Sequence, residues 1–223
     1  VRDIVDRGHE LACHGYWHQL IYVIGPERFR EDVICAKKLL EDVSGKAVNG
    51  YRAPSYSITA ESLWALDILV EAGFTYDSSI FPIHHDRYGI PGSQRFPHII
   101  DRPMGGISEF PITTYPLQAL GRRLDLPVSG GGYFRLLPYG LVDRALRHVN
   151  EREGQPAVVY FHPWEIDPGQ PRIKGCGLKS RFRHYVNLDS TYGKLERLLS
   201  GHEFAPLGTV LQSRTGNAAA ESA

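Results

Sequence analysis

The segment His14-Gly-Tyr-Trp-His18 carries two imidazoles four residues apart. On one face of a helical turn, that spacing lets both rings reach a single metal ion. Spacing alone is poor evidence. Ten histidines in 223 residues give about 0.4 such pairs by chance. The competing reading is two histidines bonded to backbone near a strand end. The place of His14 after a short apolar run, with a glycine next, adds weight to the metal reading.

Three further segments could do chemistry. In Tyr51-Arg52-Ala53-Pro54-Ser55, Arg52 could grip a carboxylate with both arms of its fork. A rigid Pro54 could aim the N–H of Ser55 at a developing oxyanion. An ordinary surface arginine beside a turn fits the same letters. Asp77 in Asp77-Ser78-Ser79 could orient a catalytic histidine or a ligand; a plain loop cap is the alternative. His162 closes the apolar run Val158-Val159-Tyr160-Phe161. A histidine there is costly to leave unpaired, and it could protonate a departing amine or simply pack in the core. Glu165 reads as a surface acid or a supporting one. His84 and His85 are adjacent and point apart, so joint ligation by the two is not expected.

The elements that must place these residues follow from periodicity and punctuation. Val1, Ile4 and Val5 share a helical face that ends at Gly8. Residues 9–13 read as a short strand delivering His14. Pro26 suits a first helical turn, Phe29, Val33, Ala36 and Leu40 repeat at helical spacing, and Gly45 lies past the end. Residues 48–52 read as a strand halted by Pro54. Thr59 can cap a helix burying Leu63, Leu66 and Val70 that stops at Gly73. Residues 74–77 form the next strand. Alternating helix and strand argues for a parallel sheet or barrel with helices outside. Chemistry then gathers at the C-terminal strand ends, where His14, Arg52 and Asp77 fall.

The later chain is less regular. Residues 81–135 are rich in Pro and Gly and read as an irregular excursion with a strand near 107–112. Ser129-Gly130-Gly131-Gly132 is a turn or a close-approach loop. It lacks the Lys and Ser/Thr of a phosphate-binding loop. Pro138 opens a helix carrying Leu141, Val142, Ala145, Leu146 and Val149. Residues 156–161 read as an apolar strand, 163–188 as a loop, and Leu195, Leu198 and Leu199 as part of a last helix. The small polar tail, 214–223, is expected to be disordered.

Composition excludes several classes. Lys plus Arg and Asp plus Glu both number 25, so no global field favours nucleic acid or an acidic membrane. No apolar run is long enough to cross a bilayer. Cys13, Cys35 and Cys176 are too few for a disulfide framework or a Cys-rich zinc site, which suits a reducing compartment.

Together the segments resemble the polysaccharide deacetylase family with the NodB homology fold. Arg7-Gly8-His9-Glu10-Leu11 followed by His14 and His18, Arg52-Ala53-Pro54-Ser55, and Phe161-His162-Pro163 are similar to its motifs in order. The strings YRAPSYSIT, GFTYDSSIFPI, RYGIPG, GGGYFRLLPY and HPWEIDP resemble the exosortase-associated (PEP-CTERM locus) subgroup of exopolysaccharide gene clusters. The resemblance implies an α/β fold, a distorted (β/α) barrel, with one domain over residues 1–213. Within it, 81–135 would be a loop-rich insertion and 136–213 the C-terminal part. It implies hydrolysis of acetyl groups from N-acetylated polysaccharide or oligosaccharide. His14 and His18 would bind a divalent metal, normally zinc. The Ser55 N–H would help hold the oxyanion, His162 would be the general acid, Arg52 would orient the base, and Asp77 would support them. The family's early Asp motif, which supplies a third ligand and a base, has no counterpart after Val1. The expectation is that the first strands of the fold lie upstream. A cytoplasmic location accords with the subgroup and the cysteines. Two rivals remain: a deacetylase-like domain that only binds glycan, and an amidase for a small molecule on the same scaffold.

Overall fold

Residues 1–119 and 122–221 are described by the computed structural model. Helix α1 is Arg2–Asp6. Helix α2, Ile21–Ser44, is two helical segments. They meet at Gly25, whose φ of 74° and ψ of 173° leave the helical region, and Pro26 then restarts the helix as its lack of an N–H allows. The second segment buries Phe29, Val33 and Ala36 on one face and ends at the left-handed Gly45.

Strand β1 is only Gly50–Tyr51. A turn of tight helix at Ala60–Ser62 follows, capped reciprocally by Thr59 and Ser62. Helix α3, Trp64–Glu71, buries Ala65, Leu66, Ile68 and Leu69. Strand β2 is Tyr76–Asp77. Strands β3, His98–Arg102, and β4, Gly105–Glu109, come next. Leu66, Leu69 and Ile107 are fully buried in one cluster with Phe29, Val33 and Tyr51. Each such aliphatic side chain contributes about 1.5–3 kcal/mol relative to exposure.

The sheet order is β1-β2-β4-β3. β1 with β2 and β2 with β4 are parallel, and β3 with β4 is antiparallel. Cys13 adds a single parallel bridge to Tyr51. The α/β class is as expected, but the closed barrel is not seen. Among the described residues this is an open four-stranded sheet, whereas closure takes about eight strands. The expected strand at residues 9–13 shrinks to that one bridge.

Past residue 112, β5, Thr114–Ala119, pairs antiparallel with β6, Arg122–Pro127. Residues 81–135 are therefore not irregular: they hold two antiparallel pairs and the start of α4, Gly131–Leu136. Gly105 and Gly106 open β4, Pro116 interrupts β5, and β3 sets two isoleucines side by side, so strict alternation does not show. Helix α5, Tyr139–Arg147, starts after Pro138. The segment read as a loop, 163–188, contains a tight turn at Pro163–Ile166 and helix α6, Leu178–Tyr185. Helices α7, Leu188–Gly201, and α8, Leu207–Glu221, end the chain. α8 runs through most of the stretch expected as tail, and 222–223 lie outside the described residues.

The expected strand at 156–161 is one bridge, Gly130 to Tyr160. A Cβ on Gly130 would sit 2.1 Å from the Tyr160 carbonyl oxygen, and its φ is 151°. The glycine run is thus a close-approach loop.

The chain divides into two compact units. One comprises residues 1–112 with the chain from Ala205 onward; the other is Thr113–Phe204. The second has its own core of Phe134, Val142, Leu146 and Leu198. Among the described residues, no helix is long and apolar enough to cross a membrane.

Candidate functional site

In the first unit, the C-terminal ends of the parallel strands carry His14, Arg52, Asp77 and Glu109, in sheet order. Strand ends expose backbone groups and side chains that the ladder no longer uses, so this edge is where such folds place chemistry.

The rings of His14 and His18 lie 5.0 Å apart between centroids, at 71°. The segment joining them is not a helical turn. Gly15 has φ 78° and His18 itself has φ 53°, so the chain loops back and brings the rings together. Asp32, only 8% exposed on α2, holds this loop. Its two oxygens accept the backbone N–H groups of Tyr16 and Trp17, each at 2.9 Å. His14 Nδ1 donates to the Arg52 carbonyl at 2.6 Å. That bond sets the tautomer in which Nε2 carries the lone pair.

Arg52 does not hold a carboxylate. Its Nε donates to the Ser78 carbonyl at 2.9 Å and its Nη2 to Ser78 Oγ at 2.8 Å. One edge of the fork, Nε and Nη2, is taken by the loop after β2, and Ser78 Oγ donates in turn to the Phe110 carbonyl at 2.7 Å. Ser55 stands at the tip of the turn Pro54–Tyr56. Ser55 and Tyr56 both have left-handed φ, 53° and 54°. Three of the four non-glycine residues with positive φ among the described residues are His18, Ser55 and Tyr56. Such strain persists only where surroundings impose it, and it clusters at functional sites.

Asp77 is fully buried. Its oxygens take the Ser79 hydroxyl at 2.6 Å and the Ser79 N–H at 3.1 Å. Ser79 Oγ in turn accepts the Ala53 N–H at 2.8 Å. Asp77 thereby anchors the backbone that presents Ser55. Burial pushes its carboxyl above the ordinary value, opposed in part by a hydrogen bond with Glu109 and then by the Ser79 bonds. Opposite it in the β2–β4 register is Glu109, also fully buried. Glu109 Oε1 accepts the Ile80 N–H at 3.0 Å, and its carboxyl shares a hydrogen bond with that of Asp77. Burial, and then the neighbouring Asp77 charge, push Glu109 well above the carboxylate range.

The second unit places His162 just before the tight turn Pro163–Ile166. Glu165, 1% exposed, accepts both the His162 N–H at 2.9 Å and Nδ1 at 3.2 Å on one oxygen. Its other oxygen takes Arg135 Nε at 3.1 Å. Burial pushes Glu165 up, but the His162 bonds and the charges of His162 and Arg135 outweigh it and hold the carboxyl below its usual value. Glu165 is therefore not a surface acid. His85 stacks on Tyr88 at 3.8 Å, and His84 is not brought to His14 and His18 by any contact described here.

Sequence reading missed Asp32, Glu109 and Arg135. Asp32 left a trace: it is a charged residue on the apolar face between Phe29 and Val33. Glu109 and Arg135 left none, because their roles depend on which strand or loop lies opposite.

A metal ion fits this edge in part. Two imidazoles at this separation can share one ion at the Zn–N distance of about 2.0–2.1 Å. Among the described residues, no group of three His, Cys, Asp or Glu could hold a metal. Burial pushes the Cys13 thiol up to about 11. His14 and His18 are the two candidate ligands among the described residues.

Residues 1–76 match the family profile for polysaccharide deacetylase, and residues 78–212 match a domain of unknown function, DUF3473. The boundary falls within the sheet, since β4 from the second segment pairs in register with β2 from the first. A peptidoglycan deacetylase of Helicobacter pylori is 34% identical over 83 residues, which are 37% of this chain and 27% of that protein. A solved structure from Mycobacterium smegmatis, assigned as a polysaccharide deacetylase, aligns with TM-score 0.51 and 20% identity. It covers 92% of this chain and 68% of its own. Puue allantoinase aligns with TM-score 0.52 and 16% identity, over 95% and 60%. At those identities the likeness is one of fold. The chain belongs to the family defined by the DUF3473 domain, and its first 76 residues are similar to polysaccharide deacetylases.

Proposed function

We propose that this protein is a metal-dependent hydrolase that removes acetyl groups from N-acetylated sugars of a polysaccharide. One observation carries the reading. The His14 and His18 rings are drawn together by a strained, clamped loop at the C-terminal strand edge, beside the Arg52–Ser55 turn.

His14 and His18 would hold a divalent cation, zinc in the first instance. Bound there, the cation supplies Lewis-acid polarisation of the acetyl carbonyl and acidifies a water. A water oxygen would bond to the carbonyl carbon as a carboxylate base takes its proton, a base assigned to none of the described residues. The Ser55 N–H donates to the carbonyl oxygen as negative charge builds on it. Arg52, pinned on Ser78, fixes the turn that presents this donor. When the C–N bond breaks, its electron pair goes to nitrogen, which takes a proton from His162. Acetate and a free amine leave. Exopolysaccharide biosynthesis in the cytoplasm is the setting proposed with it, on the subgroup strings and the three unpaired cysteines.

A second reading, glycan binding without turnover, is favoured by the two-ligand count. The related fold of an allantoinase also keeps a small-molecule amidase in view, because fold alone does not fix substrate. The test is acetate release from N-acetylated oligosaccharides by the intact protein, with and without chelator. Chelator-sensitive release, lost in His14→Ala, supports the deacetylase. Glycan binding with neither metal nor acetate release overturns it.

A further inference from the structure

We infer that Glu165 is a positioning residue for His162, fixing the ring so that Nε2 is the nitrogen that delivers the proton. The inference rests on the reading of His162 as general acid.

The geometry is unusually constrained for a three-residue separation. Glu165 Oε2 accepts His162 Nδ1 at 3.2 Å and the His162 backbone N–H at 2.9 Å. The second bond belongs to a capping box at the turn Pro163–Ile166, and alone it is a structural duty. The first is not needed for the cap. It sets the tautomer: with Nδ1–H donated to a carboxylate, the other nitrogen carries the exchangeable proton when the ring is charged.

Glu165 cannot swing away. Its Oε1 accepts Arg135 Nε at 3.1 Å, and side chains of both partners are at most 3% exposed. Arg135 is itself locked by carbonyls: Nη1 donates to those of His184 at 2.7 Å and Val186 at 3.2 Å, and Nη2 to that of Arg183 at 3.0 Å. Its guanidinium also lies 4.9 Å from the Trp164 ring centroid. Trp164 stacks near His162 at 5.6 Å and 23°. The imidazole is thus held along one edge and flanked on one face, while its side chain remains 48% exposed. A ring wanted only for packing would not keep half its surface open. A proton donor must.

Arg135 engages the opposite oxygen of Glu165, so the oxygen that faces the ring is left to His162.

The test uses two substrates of the intact protein. An N-acetylated oligosaccharide loses an amine, which must be protonated as it leaves. An aryl acetate ester loses a phenolate, which need not be. Glu165→Gln should cut kcat on the amide by about 10- to 100-fold with KM unchanged, and spare the ester. His162→Ala should show the same selectivity, more strongly. An equal loss on both substrates in Glu165→Gln, with His162→Ala still selective, would overturn the inference alone. Loss of selectivity in His162→Ala would instead overturn the general-acid reading. The wild-type ring provides a readout that needs no variant to fold. Its ¹⁵N shifts in the neutral form should report the Nδ1–H tautomer, and an Nε2–H ring would end the inference.

Discussion

Asp32 accepts the N–H of Trp17 through Oδ1, at 2.9 Å, one residue before the candidate ligand His18. The other oxygen does the same for Tyr16. A carboxylate on α2 therefore fixes the loop between the two imidazoles. Gly15 belongs to the same clamp, since a Cβ there would lie 2.9 Å from Asp32 Oδ2. Asp32→Ala would leave two N–H groups without their acceptor, at a cost of about 1–3 kcal/mol. The larger effect should be on the rings, which lose their fixed separation. Zinc affinity of the intact protein, read by competition with a chromophoric chelator, should fall at least tenfold. Unchanged affinity in a folded Asp32→Ala would show that the loop holds its shape unaided.

The relay from Ala53 N–H to Ser79 Oγ to Asp77 Oδ1 gives a second expectation. Ser79→Ala strands a buried N–H and one oxygen of a buried carboxyl. The expected destabilisation is about 2–4 kcal/mol, read as a shift in the urea midpoint. Because Ala53 leads into the turn bearing Ser55, kcat should fall with KM little changed. A rise in KM alone would place this turn in substrate binding and not in charge stabilisation.

These relationships also show what was legible in the letters. His14, Arg52 and Asp77 could be placed at strand ends, because glycine and proline mark where each strand stops. The helical face of Phe29, Val33 and Ala36 was equally plain. Hidden were the partners set by topology. Glu109 matters because β4 pairs with β2, and parallel pairing across 32 residues leaves no local pattern. Arg52 looked like a carboxylate clamp, yet two of its nitrogens go to Ser78, since the loop after β2 runs close enough to take them. Strands of two residues, such as β1 and β2, are also too short for alternation to show.

Close approach at Gly130 yields a steric prediction. Gly130→Ala would force a Cβ to within 2.1 Å of the Tyr160 carbonyl oxygen at a φ of 151°. The loop that precedes His162 must shift or the helix α4 must start late. A loss of about 1–3 kcal/mol from overpacking, with about 1–3 kcal/mol more from the backbone conformation, should lower the thermal midpoint clearly. Gly140→Ala is the matched control. It lies in α5 with nothing within 4 Å of the new Cβ, and should stabilise by about 0.4–1 kcal/mol. Equal effects of the two substitutions would refute the close-approach reading.

The buried pair Asp77 and Glu109 makes stability depend on pH, and the sign can be worked out. Unfolded, Glu109 titrates near its ordinary value of 4.5; folded, burial and Asp77 hold it well above. Between those values the folded state binds the extra proton, so stability falls as pH rises, by up to about 1.4 kcal/mol per pH unit. The contribution is complete below about pH 4.5 and is lost as pH climbs through the folded value. Asp77, also raised, acts in the same direction. Glu109→Gln keeps the shape and removes the charge that must otherwise be formed in the core. Urea midpoints should therefore favour Glu109→Gln over wild type at pH 8, with the gap closing towards pH 4.5. A variant as pH-sensitive as wild type over that range would mean that Glu109 ionises without cost where it sits, against its full burial and the carboxyl of Asp77 beside it.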